Sequence, residues 1–144
     1  MWLLEALGSW PGAVLLQRSG TAYLLVSAAH ILGVGLLVGA ILPLDLRLLG
    51  FFRTVPLTVI EPFLTRAAAT GLALALVTGF WLFTVKPAEY AANEAFLIKL
   101  GLLAAALLNI ALRHRIAGLV RAAAALSFLL WIAVLVAGRW IGFV

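Results

Sequence analysis

The chain has 144 residues, 66% of them hydrophobic and 10% charged, with a mean hydropathy of +1.22, more apolar surface than one small water-soluble core can hide. The net charge of +5 comes from basic residues at the ends of apolar segments rather than along a stripe, which argues against a nucleic-acid partner. With no cysteine, disulfides, thiolate metal sites and covalently attached haem are excluded.

The opening, MWLLEALGSWPG, carries Glu5 where a signal peptide would be basic, so the segment is expected to be retained. Residues 1–19 are too short to span a bilayer, and Trp2, Leu3, Ala6, Leu7 and Trp10 recur at helical spacing; they predict a helix lying along the membrane surface. The first span is predicted over 21–42, where Pro43 kinks or ends it. Pro43, Pro56 and Pro62 interrupt a stretch mixing arginines with leucines and phenylalanines, read as an interfacial elbow. Further spans are predicted over 64–85, 95–112 and 119–141, the second stopped by Lys86-Pro87 and the third by Arg113-His114-Arg115. At about 20 residues per crossing, this is an all-α, integral membrane four-helix bundle in one domain covering residues 1–144.

Arg47, Arg53, Arg66, Arg113, Arg115 and Arg121 flank the two connections that must share a side, whereas Arg18, Lys86 and Arg139 lie on the other. The positive-inside bias then puts both termini outside, as expected for a multi-pass protein of a bacterial inner membrane. Trp2, Trp10, Tyr23, Trp81, Tyr90 and Trp140 fall toward that outer face, as an aromatic belt would.

Ionisable groups inside a span are costly unless paired, hydrated or liganded, so each is a candidate functional residue. His30 lies roughly 13 Å below the outer end of span one, and Lys99 roughly 7 Å below that of span three, so the two are expected to share the outer half of the bilayer. Gly33, Gly35 and Gly39 follow His30; such residues permit close helix packing or the approach of a flat cofactor. Tyr23 precedes His30 on roughly the same helical face. His30 reads either as a histidine bonded to a neighbouring helix or as a ligand, and Lys99 either as a snorkelling side chain or as the partner of an anionic group. His114 is expected at the interface, roughly 15 Å from His30 along the membrane normal, too far to share one iron with it.

On the inner side Asp45, Arg47, Arg66 and Asn109 form a second polar group, for which pairing across helices is expected, Asp45 with Arg66 for example. Thr65, Thr70, Thr78 and Thr84 can bond their own helix carbonyls. No Walker, dinucleotide, G-x-S-x-G or HxxxH pattern occurs, which leaves hydrolase and nucleotide chemistry unsupported.

The stretches HILGVGLLVGAILPLDLRLLG, RAAATGLALALVTGFWLF and FLIKLGLLAAALLNIALRHR together resemble the CopD/HemJ-like group of small bacterial membrane proteins, over residues 21 to 115. In the HemJ branch, which are porphyrinogen oxidases, the resemblance implies a haem-binding histidine at His30 and a functional lysine at Lys99. In the CopD branch it implies copper handling. The expectation is therefore a b-type haem protein with a redox or electron-transfer role, liganded by His30, with Lys99, Tyr23 and Gly33 around the cofactor. Copper handling and a non-catalytic accessory subunit of a larger membrane complex are the alternatives. The bilayer is the expected partner, and the Ala- and Gly-rich spans suit a homo-oligomer or larger membrane complex equally.

Overall fold

The computed structural model describes residues 2–113, 115 and 118–141, and among these every regular element is helical. The order is α1 (Trp2–Ser9), α2 (Pro11–Arg18), α3 (Gly20–Leu49), α4 (Leu57–Phe83), α5 (Pro87–Ala92), α6 (Glu94–Arg113) and α7 (Val120–Trp140). The helices α3, α4, α6 and α7 are each long and apolar enough to cross a bilayer. Along α3, Leu24, Leu25, Ile31 and Leu32 are each more than 60% exposed. Water would penalise each such leucine or isoleucine by about 1.5–3 kcal/mol relative to burial, whereas lipid removes the penalty. The chain is a multi-pass membrane protein of the all-α class.

Two differences from the sequence expectation concern proline. α3 runs through Pro43 to Leu49, and α4 begins at Leu57, five residues before Pro62. A proline inside a helix removes one N–H, orphaning here the carbonyls of Gly39 and Thr58, yet membrane helices tolerate it because their neighbours resupply the lost bond. The elbow thus shrinks to 50–56. There Gly50 (φ 112°) and Phe52 (φ 55°) take left-handed conformations, and the turn is held by Arg47 Nε donating to the Val55 carbonyl (2.9 Å) and Arg53 Nε to that of Gly50 (3.1 Å).

The helices fall into two compact units, residues 1–37 with 69–92 and residues 38–68 with 93–144. In the first, α1 and α2 are tied to the end of α4. Trp10 Nε1 donates to Thr84 Oγ1 (2.9 Å), Trp81 Nε1 to the Gly12 carbonyl (2.9 Å), and Gln17 Nε2 to the carbonyls of Gly8 and Val85 (3.0 Å each). The N-terminal segment is therefore two short helices broken at Trp10-Pro11, because a proline is well suited to the first turn of a new helix.

In the second unit α6 and α7 form an antiparallel pair, with Asn109 Nδ2 donating to the Ala123 carbonyl at 2.8 Å. Ala95, Ala106 and Ala124 are fully buried and Ala137 nearly so. Small side chains let helix backbones approach, and that close contact replaces the hydrophobic drive that lipid does not supply.

Candidate functional site

α3 and α4 cross in the first unit through glycines. A Cβ on Gly33 would lie 2.8 Å from the amide nitrogen of Ala75, and one on Gly71 would lie 2.5 Å from that of Leu37. No side chain fits at either position. The pairs 33/75 and 37/71 run in opposite senses, so the helices are antiparallel, and His30 comes opposite Thr78 and Gly79. Gly35 and Gly39, by contrast, have open space where a Cβ would stand; the GxxxG spacing they form is not the one packed at this crossing.

The His30 imidazole lies over α4. Its Nδ1 is 3.1 Å from the Ala75 carbonyl oxygen and 3.1 Å from Thr78 Oγ1. A carbonyl only accepts, so Nδ1 carries the proton. Thr78 is arranged to agree, because its own hydroxyl donates to the Leu74 carbonyl at 2.6 Å and turns a lone pair toward the ring. The neutral imidazole then has its lone pair on Nε2, the tautomer assigned by the network around it. A Cβ on Gly79 would come 3.1 Å from the ring carbon Cε1, so a small residue there lets the ring lie against the α4 backbone.

Thr78 and Gly79 are the site residues that sequence reasoning missed. The signal was present: Gly71, Ala75 and Gly79 repeat every four residues along α4, a small-residue ladder that marks the face receiving α3. Thr78, expected to bond only its own helix, does so and holds His30 as well.

Tyr23, 37% exposed, lies beside Tyr90 of α5. Burial, then the neighbouring Tyr23 and Glu89, push the Tyr90 hydroxyl up to about 12. Gly33 has the α4 backbone beside it, so its lack of a side chain serves helix approach. Lys99, in the second unit, is half-buried against α7, where a Cβ on Gly138 would lie 3.5 Å from both its Cε and Nζ. That position is within the last turn of α7, where the helix carbonyls favour a cation. His114 lies outside the described residues.

Asp45 does not pair with Arg66. Its Oδ1 accepts from Arg113 Nη1 at 3.0 Å, with the Asp45 side chain wholly buried and that of Arg113 only 8% exposed. Arg113 closes α6 in its last turn, where the carbonyl ends of the helix also favour its charge. Ser127 of α7 sits beside the same carboxylate. This is a neutral ion pair in a low-dielectric setting, and it ties α3 to α6.

Among the described residues, no group of three His, Asp or Glu side chains converges on a point that could hold a metal ion. Compared with known proteins, the chain matches no family model, no curated protein and no solved structure.

Proposed function

We propose that this membrane protein carries one b-type haem through Nε2 of His30 and serves a one-electron redox or electron-transfer role at the outer membrane face. The observation that carries the reading is the hydrogen bond from Nδ1 to the Ala75 carbonyl. Histidines that bind iron or other metals characteristically donate their other ring N–H to a carbonyl or carboxylate, which fixes the tautomer and raises ligand basicity. Thr78 doubles that hold, and a single oriented neutral imidazole is a ligand that haem iron accepts. The haem, when bound, supplies reversible one-electron chemistry, and the chain supplies an oriented neutral imidazole.

The resemblance to the CopD/HemJ-like group supports the same assignment. It also implies a functional role for Lys99, and it makes porphyrinogen oxidation the enzymatic form of the proposal. Copper handling has weaker support, since among the described residues no group of three His, Asp or Glu side chains could hold a metal ion. The accessory-subunit reading is favoured by one observation: both bonds at Nδ1 also serve as a clamp between α3 and α4.

The test is the visible spectrum of detergent-purified protein, oxidised and dithionite-reduced, for wild type and His30→Ala. A Soret band with reduced α and β bands, lost in the variant, is the expected result. A colourless wild type that stays colourless after added haem overturns the haem reading and leaves the clamp. Orientation in a bacterial inner membrane, with both termini outside, is read by a reporter fused after Val144; a cytoplasmic signal inverts it.

A further inference from the structure

The elbow end of α4 carries charge of both signs around one open cavity. Leu57, Thr58, Glu61, Pro62, Thr65 and Arg66 line a space of about 430 Å³. Its depth follows from the sequence beyond it. From Ala67 to the end of α4 at Phe83 no residue is charged, a length of about 26 Å at 1.5 Å per residue, which nearly fills a hydrocarbon core of about 30 Å. The cavity therefore lies at headgroup level. Glu61 is half-buried there, and among the described residues its carboxylate makes neither an ion pair nor a hydrogen bond. A partly desolvated carboxylate calls for a cationic N–H partner, and none of the described residues supplies one.

We propose that this cavity binds the phosphoethanolamine headgroup of a membrane phospholipid. The order of charges selects the ligand. Outward from the uncharged stretch, α4 presents the Arg66 cation and then, nearer the elbow, the Glu61 carboxylate. Outward from its acyl chains, the lipid presents the phosphate anion and then the ammonium. The two orders are complementary and run the same way, so one molecule meets both groups. The positions are about 7.5 Å apart along the helix axis, and the Arg66 stem shortens that gap because helical side chains lean toward the N-terminus. A guanidinium has five N–H donors, so Arg66 engages the phosphate in addition to the contact it already makes. The Thr65 hydroxyl beside it donates to the same phosphate, and that of Thr58, one turn before Glu61, accepts from the ammonium. A choline headgroup has no N–H to give Glu61, and a phosphoglycerol headgroup brings no positive charge. The inference is independent of what His30 binds.

The test uses the delipidated full-length protein in detergent, offered phosphatidylethanolamine, its N-methylated forms, phosphatidylcholine or phosphatidylglycerol with identical acyl chains, and counts bound lipid by native mass spectrometry. The expected result is that phosphatidylethanolamine binds about tenfold tighter than phosphatidylcholine, the order of one hydrogen bond to a charged group, with affinity falling as methyl groups replace N–H. Glu61→Gln should remove that preference by weakening phosphatidylethanolamine alone, whereas Arg66→Gln should weaken phosphatidylethanolamine and phosphatidylcholine alike. Equal binding of the headgroups by the wild type overturns the site, since the lipid is then ordinary bilayer around the helix. Phosphatidylglycerol binding tightest also overturns it, in favour of a plain anion site at Arg66. So does a preference that survives in Glu61→Gln, because the ammonium is then read elsewhere.

Discussion

Two polar sites lie within apolar helices of this protein, and they are stabilised by opposite means. Around His30 the polar group is neutral, and the hydrogen-bond partners of its Nδ1 come from one neighbouring helix: the Ala75 carbonyl and Thr78 Oγ1. The approach is made by glycines with no room for a side chain. Around Asp45 the group is charged, its partner is the Arg113 guanidinium from another helix, and three buried polar atoms remain beyond the ion pair. A neutral group can be satisfied by backbone that is already there, whereas a charge needs a dedicated opposite charge. The first site is accordingly sensitive to volume and the second to charge balance.

The sharpest way to separate them is to break the ion pair. Arg113→Met should destabilise the protein by about 3–5 kcal/mol, because it strands a buried carboxylate; thermal unfolding in detergent reads this. The double variant Asp45→Leu/Arg113→Met should recover most of the loss, and failure to recover would mean that packing rather than charge dominates there. At the α3–α4 crossing the expected effect is smaller and steric. Gly71→Ala should cost about 1–3 kcal/mol by forcing the backbones apart. Gly35→Ala and Gly39→Ala, made in open space, should leave stability unchanged or raise it by up to about 1 kcal/mol.

Smaller again is the anchor of the N-terminal helices. Thr84→Val removes the acceptor of Trp10 Nε1 and should cost about 1 kcal/mol, with tryptophan emission shifting as α1 loosens from α4. The smallest effect concerns Tyr90, whose pKa is raised in the fold to about 12. The folded state holds the proton more tightly than the unfolded chain, so the contribution is complete below pH 10 and is lost as pH rises toward 12. A Tyr90→Phe variant should be free of that slope, measured as stability against pH.

The four spans were legible in the sequence because hydropathy and length suffice to mark them, and α6 and α7 begin and end within a residue of the expected limits. The reach of α3 past Pro43 was not, since a proline ends helices in water but is tolerated in membrane segments whose lost bond is made good by neighbours. His30 stood out because a lone histidine in hydrocarbon is conspicuous. Its principal partner did not, because a backbone carbonyl has no residue identity to read. Asp45 could be expected to seek an arginine across helices, but Arg66 and Arg113 are equivalent in sequence, and only the packing of α6 decides between them.

The anchoring of α1 and α2 on the end of α4 has a consequence for biogenesis. Residues 2–18 leave the ribosome before Trp81, Thr84 and Val85, which hold them. At about 5–20 residues per second, the segment spends seconds without these partners. During that interval only the membrane surface can shelter its tryptophans and leucines, so the order of translation makes lipid the first binding partner of the segment and α4 the second.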